Sequence, residues 1–324
     1  MKKIYFLFFL LTIFSFFMHS FAAADEPKIM QSDVTHEALA QTAITTLTSE
    51  LGKVVSSMTS IAANFEDDEV ALCDLRLALR RSLAAFTLYE DLLPSRDAFW
   101  IRQQLTQLRI ATNEVRDDDV MYQILMNEFD CSAYPFGNFK QQRSDVQQPL
   151  LELIEGLQKN DLLKNRIDQM LLEVAWPVEK GMEPAFSELA KEKLSICLAE
   201  SFQSLPTYKD SFVELHHFRI RIKKIRYMME LLEELFYPER DATIYPQLVL
   251  LQSTLGRIHD LFNVEQRIQQ ELNRSTGNDI ALFQTLILKC DALLQQEHEN
   301  FFLNFTPMVF QKLQRDMMAA INEL

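Results

Sequence analysis

One stretch, residues 215–230, constrains the fold more than any other, because a near copy of it lies 143 residues upstream, position 73 answering to position 216. On a helix turning about 100° per residue, with His216 at zero, seven apolar side chains share one arc of roughly 160° to 260°. They are Leu215, Phe218, Ile222, Ile225, Met229, Leu232 and Phe236. His216, Arg219, Lys223, Arg226 and Glu230 occupy the adjoining arc, roughly 280° to 360°. The cationic stripe therefore borders the apolar one. His217, Arg221 and Lys224 turn to the far side, where charge is ordinarily solvated.

In the upstream copy Leu72, Leu75, Leu79 and Phe86 take the apolar places of Leu215, Phe218, Ile222 and Met229, and Arg76 and Arg80 take those of Arg219 and Lys223. Cys73 replaces His216, Leu83 replaces Arg226 and Thr87 replaces Glu230. The register continues without insertion in both directions. Leu105 and Leu108 match Leu248 and Leu251, Arg116-Asp117 matches His259-Asp260, and Leu51, Val54 and Val55 match Leu194, Cys197 and Leu198. Self-similarity of this kind marks a duplicated supersecondary unit.

The chain has only 6 glycines and 10 prolines, with 48% hydrophobic residues, and no sustained strand alternation. It reads as all-α, built from two sequence-related helical units. The first unit spans 34–175 and the second 178–324. Periodicity predicts helices over 34–62, 68–93, 95–114 and 117–130, then 149–158 and 160–175 after a connector closed by Pro149. In the second unit it predicts 182–203, 209–236, 244–258, 260–273, 278–298 and 307–322. Asp117 and Asp260 read as caps of new helices. Residues 1–24 read as a signal peptide: Lys2 and Lys3, an apolar run from Ile4 to Met18, then Ala22-Ala23-Ala24. The expected location is periplasmic or secreted, with no stable membrane span once that segment is removed.

A net charge of −14 argues against DNA or RNA as the partner, since such domains are globally basic. A local cationic cleft can still focus a positive potential within an acidic surface. Cys73, Cys131, Cys197 and Cys290 form no metal-type pair, and Cys197 and Cys290 lie on apolar stripes as small buried thiols. No Gly-rich phosphate loop, serine nucleophile elbow or Cys-x-x-Cys is present, and no cofactor is implied.

Spacings of three and four residues stack cationic heads along one helix face. Arg offers a planar fork for two phosphate oxygens and Lys a mobile point charge. Two such helices face to face would gather cations that repel one another until an anion relieves them. The candidate anion-binding residues are Arg76, Arg80, Arg116, His216, Arg219, Lys223 and Arg226. Arg81, Lys224, Tyr227 and His259 are secondary, and Arg221 and Arg257 extend the same track.

The pattern His216-x-x-Arg219-x-x-x-Lys223-x-x-Arg226-Tyr227-x-x-Glu230, followed by Leu251-Gln252-x-x-Leu255-Gly256-x-x-His259-Asp260, resembles the CHAD domain, the conserved-histidine α-helical domain. The upstream copy, with Arg76-x-x-x-Arg80-Arg81 and then Arg116-Asp117, departs from it at Cys73 and Leu83. The resemblance implies two four-helix-bundle units arranged with pseudo-two-fold symmetry around a basic cleft, with inorganic polyphosphate, or a similar polyanion, as the non-enzymatic ligand of that cleft. Two other readings stand beside it. One is a helical scaffold for a protein partner, with a degenerate anion site. The other is a metal-dependent phosphohydrolase using His259-Asp260, which would need further His and Asp ligands nearby.

Overall fold

A computed structural model describes residues 36–63, 69–129, 139–174, 186–232, 238–275 and 279–324. The signal segment, the turn at 64–68, Cys131, and Trp176-Pro177 lie outside the described residues. Among those described there are ten α-helices and no strand. In chain order they are α1 (His36–Ala63), α2 (Glu69–Leu88), α3 (Ser95–Phe129), α4 (Phe139–Gln158), α5 (Leu162–Leu172), α6 (Phe186–Phe202), α7 (Phe212–Leu231), α8 (Pro238–Arg274), α9 (Asp279–Asn304) and α10 (Pro307–Asn322). All belong to one compact unit.

The apolar stripes become the core. Leu72, Leu75, Leu79 and Phe86 of α2 are buried, as are Leu215, Phe218, Ile222, Ile225 and Met229 of α7. Cys197 and Cys290 are buried free thiols, as their stripes predict, and Cys73 is an exposed one. Local chemistry fixes the helix starts. Ser211 and Glu214 form a reciprocal capping box at the head of α7, Ser211 Oγ accepting from the Glu214 amide and Glu214 Oε2 from the Ser211 amide. Between α4 and α5 the chain turns through Asn160 and Asp161, both left-handed, a region these short polar side chains tolerate.

The duplication is visible in the element bounds. Helix α2 and α7 each have 20 residues and begin at positions 69 and 212, the offset already seen in sequence. Helices α3 and α8 begin at 95 and 238, the same offset. Moreover, α2 packs on α7 and α3 packs on α8, so equivalent helices meet each other. This brings the two cationic stripes together.

Two expectations are corrected. Asp117 and Asp260 cap nothing: α3 and α8 run unbroken through them. The buried series Leu105, Leu108, Thr112, Val115 and Leu248, Leu251, Leu255, Ile258 keep one face on the core up to these aspartates. No proline interrupts either stretch, and Gly256 alone costs a helix only about 0.5–1 kcal/mol. Pro149 likewise sits inside α4 and does not start it. Leu150, Ile154 and Leu157 are buried beyond it and Val146 packs on the core before it, so burial holds the helix across the missing amide.

Candidate functional site

Helices α2, α3, α7 and α8 enclose a cleft of about 700 Å³. From α2 it receives Arg76, Arg80, Leu83, Ala84 and Thr87. Helix α7 contributes His216, Arg219, Ile220, Lys223, Lys224, Tyr227 and Met228, and α8 contributes Gln252, His259 and Asp260. The longest wall is α3, with Arg102, Thr106, Arg109, Asn113, Arg116, Asp117 and Val120. Six arginines and two lysines thus face two aspartates, inside a chain whose net charge is −14. The cleft is a cationic hollow in an acidic protein.

Nine of the sequence candidates line it: Arg76, Arg80, Arg116, His216, Arg219, Lys223, Lys224, Tyr227 and His259. Arg226 and Arg81 do not. The cleft-facing arc of α7 is rotated from the expected stripe so that it takes in Ile220, Lys224, Tyr227 and Met228. Arg226 falls on the α8 side of that arc. There its Nε lies 3.0 Å from Glu230 Oε1, which also accepts a 2.7 Å hydrogen bond from Tyr245 Oη. Arg257 is tied to Glu128 at 2.7 Å, and Arg221 donates to the Ser204 carbonyl at 3.0 Å. Lys224 stands at the rim, 2.8 Å from Glu200.

The central cations Arg76, Arg219 and Lys223 are poorly hydrated. Burial, reinforced by Arg219, Arg80 and Arg76, pushes the Lys223 ammonium down to about 6. Burial and then Arg80 lower Arg76 to about 10, which still leaves it charged at neutral pH. Arg76 Nη1 donates to the Thr112 carbonyl at 2.6 Å, so its guanidinium is anchored on α3. Arg80 lies over the Tyr227 ring, 5.6 Å from its centroid, a cation–π contact across the cleft. Arg219 rests over Gly256, where an added methyl would sit 3.7 Å from its Nε.

The two histidines stack at the α8 side, ring centroids 4.1 Å apart. His259 Nε2 lies 3.2 Å from Asn263 Nδ2. Burial, then Arg219, His216 and Lys223, hold His259 down to about 3, so it stays neutral; His216 is lowered for the same kind of reason. Asp117 and Asp260 are both raised, chiefly by desolvation and against the pull of neighbouring arginines. Four lining residues carry buried polar atoms with no hydrogen-bond partner: His216 Nδ1, Arg219 Nε, Tyr227 Oη and Gln252 Oε1. Buried polar atoms are normally paired, so these four are available to water or to a ligand entering the cleft.

Family comparison places the chain. The CHAD domain family matches residues 48–269. The chain belongs to the CHAD domain family. Two solved structures share the CHAD fold with it. The CHAD domain from the plant Ricinus communis aligns with a TM-score of 0.57 at 20% identity, over 92% of this chain and 97% of that one. PptA from Streptomyces chartreusis aligns with the same TM-score at 15% identity, over 85% and 99%. Among curated proteins no sequence matches.

Sequence reasoning missed part of this CHAD cleft. Arg102, Thr106, Arg109 and Asn113 lie on its wall, with Arg116 beyond them. Their spacing of four, three, four and three puts all five on one helix face. That signal was legible along residues 102–116, but it has no counterpart in the other repeat and so escaped a comparison of the two copies.

Proposed function

We propose that this chain binds inorganic polyphosphate, or a polyanion of similar charge spacing, without catalysing a reaction on it. The two repeats, related by an approximate two-fold, would hold the ligand between α2 and α7. One observation carries the reading: Arg76, Arg80, Arg219 and Lys223 converge in one hollow, where burial first and the neighbouring arginines second drive Lys223 towards its neutral form. Like charges so placed destabilise the empty site. A linear anion would restore the lysine proton and accept from Arg219 Nε and Tyr227 Oη, and the association of CHAD domains with polyphosphate agrees with that chemistry.

The phosphohydrolase alternative has less support, because no group of three or more His, Cys, Asp or Glu side chains among the described residues could hold a metal ion. The scaffold alternative rested on the lost cations of the first repeat, and α3 supplies others in their place. The sequence of residues 1–24 supports export, so the proposed ligand contact is periplasmic or extracellular.

The test is titration of purified protein with polyphosphate over a range of salt. About five to eight neutralised contacts predict a log–log slope near −4 to −6, by analogy with single-stranded nucleic acid. Lys223→Ala should weaken binding about tenfold or more. Unchanged affinity in that variant would remove the proposal.

A further inference from the structure

The five α3 positions form a track of their own. From Arg102 to Arg116 the helix rises about 21 Å, and all five side chains face the cleft. Two features make the track one-sided. First, the equivalent positions of α8 are Tyr245, Val249, Gln252, Gly256 and His259, so α8 repeats none of the track's arginines. Second, its two ends differ. At the Arg116 end stand Asp117 and Asp260, which also line an adjoining hollow with Asp118. At the other end Arg102 has a neutral neighbour, its Nη2 donating to Thr87 Oγ1 at 3.3 Å. Arg102 and Arg109 are exposed, and neither pairs with a carboxylate among the described residues.

We propose that Arg102 and Arg109 form an extension of the anion site that makes it selective for chain length. This rests on the polyanion reading above. A short anion is held by the central cations alone. A longer one continues from them along α3 towards Arg102, while the aspartates repel it at the opposite end. Each further anionic group that reaches Arg109 and Arg102 adds a contact, and the gain stops once Arg102 is passed.

The experiment titrates the full chain and an Arg102→Gln/Arg109→Gln variant with tripolyphosphate and with linear polyphosphates of increasing length, at one ionic strength. Longer chains also offer more ways to bind, so the readout is the variant-to-parent affinity ratio at each length. The ratio should stay near one for tripolyphosphate and fall to about a tenth for long chains, with Arg102→Lys/Arg109→Lys recovering most of the loss. Both side chains are exposed, so folding is not at stake. An equal loss at every length, or none at any, overturns the extension. If the parent binds every length and Lys223→Ala weakens all of them while the double variant's ratio stays flat, the extension alone fails. If the parent binds none, both readings fall.

Discussion

The two halves of the molecule build the same pair of helices and charge them differently. In the second half the cleft's cations sit on one helix, α7, and its partner α8 offers Gln252, His259 and Asp260, with Gly256 beneath Arg219. In the first half α2 keeps Arg76 and Arg80, but the positions of His216 and Arg226 have become Cys73 and Leu83. Helix α3 carries Arg102, Arg109 and Arg116 instead. One pair of contacts between the paired helices shows the exchange most clearly. Arg102 donates to Thr87 in the first half, and Tyr245 donates to Glu230 at the equivalent positions in the second. What the repeats share is burial; charge is free to move to any helix that faces the same hollow.

The comparison can be broken most forcefully at its centre. Replacing Arg219 and Lys223 together by Ala should cost about hundredfold in polyphosphate affinity, roughly 2.7 kcal/mol, a larger loss than replacing Arg102 and Arg109. An equal loss from the two pairs, measured by titration calorimetry, would mean that the walls are not distinct.

The next effect separates the walls by pH, because only the second holds a lysine at the centre. In the empty protein Lys223 titrates at about 6, against an ordinary 10.5. A bound anion would raise it again, so binding should take up a proton. Affinity should therefore fall as pH rises above about 6, by up to tenfold per pH unit, and Lys223→Arg should flatten the profile. Stability of the empty protein should move the other way. Between about 6 and 10.5 the unfolded lysine holds more protons than the folded one, so this contribution to stability rises with pH. A pH-independent affinity in buffers of differing ionisation enthalpy would contradict this account of Lys223.

Smaller effects sharpen the contrast. Gly256→Ala brings a methyl to 3.7 Å from Arg219, an ordinary contact. It should stabilise α8 by about 0.5–1 kcal/mol in thermal unfolding and leave affinity within about twofold. Cys73→His, which restores the missing residue of the first repeat, should change affinity less than about twofold, since Cys73 is exposed and off the cleft wall.

Burial was the legible part of the sequence. Apolar stripes such as Leu215, Phe218 and Ile222 follow a period that only a packed helix explains, and each is in the core. Duplication then located α2 against α7. Helix ends were less legible: Asp117 and Asp260 have the chemistry of caps, but an unbroken buried stripe outweighs a capping preference worth about 1 kcal/mol. Among site residues, Arg76, Arg80, Arg219 and Lys223 were found because both copies carry them. Arg226 does not line the cleft; it pairs with Glu230, its neighbour four residues on in the same arc. Arg102 and Arg109 were missed because they belong to one copy only.

The most direct measurement is a crystal structure grown with polyphosphate. The account predicts phosphates threaded between Arg76 and Arg80 on one side and Arg219 and Lys223 on the other, continuing along α3 to Arg109. Phosphates bound only on the outer faces, beside Arg81, Arg221 or Arg257, with nothing in the cleft, would contradict it.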